Sequence, residues 1–233
     1  MSWIEYWDED TTIYVNARHK SKHYQGIARD MLSHVPGADA CVVDYGCGDA
    51  LFADRLAAAC GRLLLCDSAS SVRQKLAGRY ANQANIVVLS PEQFEALESG
   101  TVDAIIVNSV VQYLSLDEFA RLLGVFRGKL SSNGRLVVAD IVPRDVSPYG
   151  DAVELLKFAA ANGFLTAAVA GLARSYFSGY RKLREGLGFL QLDEPEAVRM
   201  LQQAGFAVQR YHRNMGHNSR RMTFVATVAA KPG

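Results

Sequence analysis

The sequence predicts an α/β protein: a doubly wound, mostly parallel sheet of seven strands with helices on both faces. Three observations lead there. Short apolar runs alternate with helical patterns over residues 40–141, as parallel β–α units require. The first run stops at an acid, turns through Gly46-Cys47-Gly48 and feeds a helical pattern over 50–60, which is how a doubly wound sheet opens its ligand-binding edge. The later strands end on Asp67, Ser90, Asn108 and Asp140, polar residues at the carboxyl edge, where open parallel sheets bind ligands.

The elements follow in order. Residues 1–12 form an arm in which Trp3 and Trp7, four apart, can anchor one helical turn. A helical pattern over 13–34 places Ile27, Met31 and Val35 on one face and ends at Pro36-Gly37. Its start clusters Tyr14, Asn16, Arg18, His19, Lys20, His23 and Tyr24. Strands are expected over 40–45, 62–66, 85–89, 104–108 and 135–141, with helices near 50–60, 69–80, 91–97 and 116–130. Ser131-Ser132-Asn133-Gly134 reads as a turn that breaks the chain before the fifth strand. An insertion over 144–192, mostly helical and rich in Ala, Leu and Phe, interrupts the alternation. A helix over 194–204, with Pro195 near its start and Gly205 after it, and strands over 206–212 and 222–228 close the sheet.

The 233 residues suffice for a single domain with a sizeable core. At 49% hydrophobic and 21% charged, with a net charge of +1, the chain has no bulk electrostatic pull toward DNA or anionic lipid. The N-terminus shows no basic region ahead of an apolar run, so a cytoplasmic location is expected. Cys41, Cys47, Cys60 and Cys66 lack a Cys-x-x-Cys spacing and read as buried apolar groups in a reducing compartment, with no metal expected.

The motif Asp44-Tyr45-Gly46-Cys47-Gly48-Asp49-Ala50 departs from a dinucleotide fingerprint. Leu51 stands where the third glycine would be, and Asp49 would repel a pyrophosphate. An acid at the strand end suits a ligand with an ammonium group. Here the sequence resembles the class I S-adenosylmethionine-dependent methyltransferases, with Ala50 replacing the last glycine of their first motif. The resemblance covers 40–141 and 194–229, makes the last strand antiparallel, and leaves 1–36 as an N-terminal lid and 144–192 as a helical cap.

The resemblance implies S-adenosyl-L-methionine as cofactor. Gly46, Cys47 and Gly48 give it a close backbone approach; Asp44 orients its ammonium; Asp67, followed by Ser68, accepts both ribose hydroxyls. Many members have an aspartate for the adenine amino group at the end of strand three. Here Ser90-Pro91-Glu92 stands there, so Ser90 or Glu92 substitutes, or Ser90 caps a helix beginning at Pro91. Asn108, Ser109, Val110 and Tyr113 line the adenine and the transferable methyl. Tyr14, Arg18 or His19 reaches the methionine carboxylate or the acceptor. The Asn108 run lacks the two prolines of enzymes that methylate DNA amines.

Methyl transfer requires alignment and, for a hydroxyl or ammonium acceptor, removal of a proton. His19, His23, His212 and His217 are the candidate bases, with His19 and His217 preferred. The acceptor is expected to be a small or medium apolar metabolite, because 152–173 carries more apolar groups than a solvated helix needs and Phe177 and Tyr180 follow. The same groups allow a homodimer through the cap, while Glu154 and Lys157 argue against membrane insertion. Two alternatives are an RNA methyltransferase, favoured by Arg210, Arg213, Arg220 and Arg221, and a non-catalytic cofactor-binding subunit.

Overall fold

The computed structural model describes residues 3–8, 14–146, 148–175 and 189–229. Seven strands form one sheet in the order β3-β2-β1-β4-β5-β7-β6. They are β1 (Cys41–Tyr45), β2 (Arg62–Cys66), β3 (Ile86–Leu89), β4 (Val102–Asn108), β5 (Leu130–Ile141), β6 (Phe206–Arg210) and β7 (Met222–Val228). The first five run parallel, and β7 lies antiparallel between β5 and β6. The chain reverses its winding between β1 and β4, so the β1 end is a topological switch point.

The helices are α1 (Trp3–Asp8), α2 (Ala17–Leu32), α3 (Ala53–Ala57), α4 (Ser70–Arg79), α5 (Pro91–Glu95), α6 (Leu116–Lys129), α7 (Pro148–Asn162), α8 (Leu165–Ser175) and α9 (Glu194–Gln203), with a 3-10 turn over Val111–Tyr113. Side-chain caps set several of the starts. Asn16 accepts from the His19 amide at 2.8 Å, and Ser90 and Ser115 each form a reciprocal capping box. The α3 helix starts three residues later than the sequence pattern predicts. Ala50 sits at φ +38°, outside the helical region, so regular turns begin only at Ala53.

Apolar strand residues bury on both faces, as a parallel sheet between helices demands. Val43, Leu64, Ile105 and Val138 pack with Phe94, Phe119 and Phe126 on one side; Val42, Leu63, Ile106 and Val137 pack with Ile27, Met31 and Leu56 on the other. The predicted turn at 131–134 is instead part of β5. Val102 pairs with Leu130 and Ala104 with Arg135, so the extra residues form a bulge. Asp103 at this bulge accepts from Ser131 Oγ at 3.1 Å and from the Cys41 amide at 2.9 Å.

In the cap, α7 and α8 turn on each other at Gly163, whose φ of +72° requires the left-handed region. Phe164, Ala159 and Ala168 bury together with Leu155, Leu156, Phe158 and Val15. Leu165 and Val169, on α8, remain 45% and 56% exposed. The chain then returns to the sheet, where the Leu190 and Leu192 amides donate to the Gln112 and Val142 carbonyls, each at 3.0 Å. Phe177 and Tyr180 lie outside the described residues. No helix among the described residues is long and apolar enough to cross a membrane.

Candidate active site

The turn after β1 is held from several sides. Gly46 and Gly48 sit at φ +74° and +55°. A Cβ on Gly46 would overlap Val110 Cγ2, and one on Gly48 would stand 2.8 Å from the Tyr24 hydroxyl oxygen. The glycines are therefore needed for the fold itself, a nearer cause than the ligand approach expected from the sequence. Asp67 Oδ2 accepts the Gly48 amide and Oδ1 accepts the Ala69 amide, both at 2.9 Å. The Tyr24 hydroxyl accepts the Asp49 amide at 3.0 Å, and Lys20 pairs with the Asp49 carboxylate at 2.5 Å. Tyr80 donates to the Ala50 carbonyl at 2.5 Å, and Arg79 holds the Asp49 carbonyl.

Asp44 lies buried below this turn, and no hydrogen bond or ion pair reaches its carboxylate among the described residues. Burial, with Asp67 beside it, raises its pKa to about 7. Burial also raises the pKa of Asp67, against the two amides that favour its charged form. The Cys47 thiol, in the turn between the glycines, is pushed well above its usual range by burial and by Asp44.

The ends of β4 and β5 are organised by a polar network. Ser109 and Asp140 stand at φ +60° and +62°, a region that costs about 1–3 kcal/mol for such residues. Ser109 Oγ donates to Asp140 Oδ2 at 2.7 Å, and Arg221 pairs with the same oxygen at 2.7 Å and with Asp151 at 3.3 Å. Asn214 donates to Asp140 Oδ1 and accepts the Asp140 amide, each at 3.1 Å. Asp151 and Glu154 of α7 reach the β6–β7 connection, accepting from Asn218 at 2.8 Å and Ser219 at 3.1 Å.

Both sets of strand ends open into one cavity of about 780 Å³. Among the described residues, four buried side-chain atoms lack a hydrogen-bond partner: His23 Nδ1, Asn108 Oδ1, Gln112 Oε1 and Arg221 Nε. All four residues line this cavity. Buried polar groups are normally satisfied, so their convergence marks a place where a ligand belongs. At the mouth, Trp3 of α1 packs on Tyr113 with ring centroids 4.7 Å apart, and Asp8 accepts from the Ser71 amide at 2.8 Å, capping α4.

Residues 43–136 match the family described as a methyltransferase domain. The seven-stranded sheet with its flanking helices is the methyltransferase fold. The fold is similar to that of a putative methyltransferase of Haloferax volcanii, solved in complex with a methyltransferase activator, at 14% identity over 99% of both chains with a TM-score of 0.63. It is similar to phosphoethanolamine N-methyltransferase 1 of Haemonchus contortus, solved with phosphoethanolamine and S-adenosylhomocysteine, at 17% identity over 99% of this chain and 48% of that one with a TM-score of 0.63. A SAM dependent methyltransferase of Aquifex aeolicus aligns at 15% identity over 97% of both chains with a TM-score of 0.59. No curated protein sequence matches the chain.

Within this fold, the structure brings most sequence-predicted site residues together. Tyr14, Asp44, Gly46, Cys47, Gly48, Asp67, Ser68, Pro91, Asn108, Ser109, Val110, Tyr113 and His217 all line the cavity. Three predicted cofactor residues do not line it. Arg18 instead donates to the Asn162 carbonyl at 2.6 Å, tying α2 to the cap. Ser90 is a helix cap, accepting the Gln93 amide and bonding to Glu92 at 2.6 Å, so both side chains serve the α5 start. His19, preferred as a base, lies behind the wall: it stacks on Phe164 at 5.1 Å and its Nδ1 accepts the Val15 amide. His23 lines the cavity in its place, with its ring 5.7 Å from that of His217. His212 packs on Tyr211, away from the cavity. Burial lowers the pKa of His19 to about 4 and of His23 to about 3, and burial also lowers that of His217.

Two further expectations concern the inserted helices and the arginine cluster. Of the described residues of α7 and α8, only Asp151 lines the cavity; the apolar groups pack on one another and on Val15. The described part of the insertion thus lends no support to an apolar acceptor, and Phe177 and Tyr180 lie outside the described residues. The arginine cluster is largely paired: Arg210 with Glu194 at 3.5 Å, Arg213 with Asp30 at 3.0 Å and Arg221 with Asp140 and Asp151. Sequence reasoning did not assign a role to Asp140, Asp151 or Gln112. Asp140 was signalled by its place at a strand's carboxyl end; Asp151, eleven residues further along an inserted helix, carried no such signal.

Proposed function

We propose that this domain binds S-adenosyl-L-methionine and transfers its methyl group to a small-molecule acceptor. The observation that carries the reading is Asp44, a buried carboxylate at the cavity wall with no cation or hydrogen-bond donor on it among the described residues. Such a group calls for a positively charged ligand. An amino-acid ammonium meets that demand, and Asp67 beside it keeps acceptor lone pairs for ribose hydroxyls after accepting two amides. The absence of a third glycine disfavours a dinucleotide.

When bound, the cofactor supplies a methyl on a sulfonium, and its departure leaves a neutral thioether. The protein's own residues then have three tasks. Asp44 and Asp67 orient the donor. Ser109, Asp140 and Arg221, fixed by mutual hydrogen bonds, hold the acceptor side rigid. Trp3 and Tyr113 cover the mouth and exclude water. With Arg210, Arg213 and Arg221 paired to acids, the cluster on β6 and the β6–β7 connection does not favour RNA.

Titration calorimetry with S-adenosylhomocysteine tests the reading. A heat of binding that disappears in Asp44→Ala is expected. Heat with NAD and none with S-adenosylhomocysteine would overturn it.

A further inference from the structure

Away from the glycine turn, the cavity wall changes character. Four rings run contiguously along it: Tyr14 and Tyr24 at 6.0 Å, Tyr24 and His23 at 5.5 Å, His23 and His217 at 5.7 Å. Asp140, Asp151 and Arg221 close the same region. His217 is stacked flat on Phe158, with centroids 4.5 Å apart and planes at 22°, so its imidazole is held in one orientation. No trough of aliphatic side chains from the described cap residues reaches this space, and about 780 Å³ must hold both reactants. Typical single-ligand pockets occupy roughly 300–1,000 Å³, so the second reactant is compact. Rings offer their faces to another ring, and the unpartnered Gln112 Oε1 and Arg221 Nε offer an acceptor and a donor at its edge.

A second cavity of about 330 Å³ lies on the other side of the His23–His217 pair. It shares His23, Gly216 and His217 with the first and is lined by Lys22, Asp30, Glu154 and Lys157. The two imidazoles therefore stand as a partition between the reactants and a polar route outward.

We propose that the His217 end of the main cavity is the acceptor subsite, that it takes a compact flat ring bearing an O–H or ring N–H, and that His217 removes that proton. The inference rests on the methyl-transfer reading above. The acceptor oxygen or nitrogen forms its new bond to the methyl carbon as the carbon–sulfur bond breaks, with that electron pair passing to sulfur. The acceptor's proton passes to an imidazole nitrogen of His217 and from there through the second cavity to water. The surroundings of His217 suit the task. Burial and Arg221 keep it neutral before reaction, His19 and His23 of α2 are themselves neutral, and Asp140, Asp151 and Glu154 favour the imidazolium once it forms.

The experiment incubates the full chain and methyl-tritiated S-adenosyl-L-methionine with two panels: catechol, hydroxyquinolines and aminophenol in one, palmitate and oleate in the other. Label is expected in at least one ring compound and in neither fatty acid. Labelled fatty acids, or no label in either panel while S-adenosylhomocysteine still gives its heat of binding, would overturn the acceptor inference and leave the cofactor reading standing. Loss of that heat defeats the cofactor reading and the inference with it. On the ring substrate found, His217→Asn is expected to lower kcat by about 100-fold at neutral pH, with recovery as rising pH deprotonates the acceptor in solution. Its affinity for S-adenosylhomocysteine is expected to stay within about twofold. His217→Gln, nearer in size, guards against misfolding. An unchanged kcat and pH profile in both variants sinks the role of His217.

Discussion

The two halves of the sheet secure their strand ends by opposite means. Around β1 and β2 the tight positions are glycines and an alanine, and the two carboxylates, Asp44 and Asp67, have no ion-pair partner among the described residues. Around β4 and β5 the left-handed positions are Ser109 and Asp140, and the charge there is matched: Arg221 lies between Asp140 and Asp151. One half leaves its charge open for a ligand to complete. The other has its charge balanced before any ligand arrives and leaves hydrogen-bonding atoms, Asn108 Oδ1 and Arg221 Nε, open, so it can discriminate by shape and hydrogen bonding. The strain in each half is carried by what surrounds it, Val110 and Tyr24 in the first and the Asn214–Arg221 network in the second.

The contrast can be broken hardest at Arg221. Replacing it by Leu removes the buried counterion of Asp140 and Asp151, and a loss of about 3–5 kcal/mol in a denaturant titration is expected. Gly46→Val comes next. Its side chain must occupy the space of Val110 at a positive φ, and overpacking with backbone strain amounts to roughly 2–5 kcal/mol by thermal or chemical unfolding. Asp67→Ala removes the acceptor of two amides, so stability and affinity for S-adenosylhomocysteine should each fall by about 1.5–3 kcal/mol. If affinity fell and stability did not, the amide bonds would be incidental.

Asp44 sharpens the comparison through pH. Its folded pKa of about 7 lies above the ordinary carboxylate value, so between those two limits the native state binds more protons than the unfolded state. Stability from this group therefore falls as pH rises toward 7 and is flat above. Affinity for an ammonium-bearing ligand moves the other way, increasing as the carboxylate ionises. Comparing wild type with Asp44→Asn in thermal melts and calorimetry across this window isolates both slopes; parallel curves would mean that Asp44 carries neither. The smallest effect is expected from Asp8→Ala, an exposed cap on α4: dissociation of S-adenosylhomocysteine should quicken, measured by stopped flow, with the melting temperature nearly unchanged.

Much of this was legible in the chain, because the strands are continuous apolar runs that end on polar residues. The expected β2 and β7 bounds coincide with those observed. The bulge at 131–134 was not legible, since Ser, Asn and Gly mark a turn whether or not a neighbouring strand captures them. The glycine motif gave the site but not the reason for its glycines, which lies in Val110 and Tyr24, far away in sequence. Arg221 shows the limit most clearly. In sequence it belongs to a basic cluster; in space it is the counterion of two acids contributed by β5 and α7.

Cys47 has a consequence of another kind. Cys47 belongs to the turn that lines the proposed donor site, where the proposed cofactor would be an alkylating agent. The thiolate is the reactive form of cysteine, and here burial and the neighbouring carboxylates suppress it. A suppressed thiolate would be spared by the proposed cofactor. The same property predicts that iodoacetamide spares Cys47 at neutral pH in the folded protein and modifies it once the turn is unfolded.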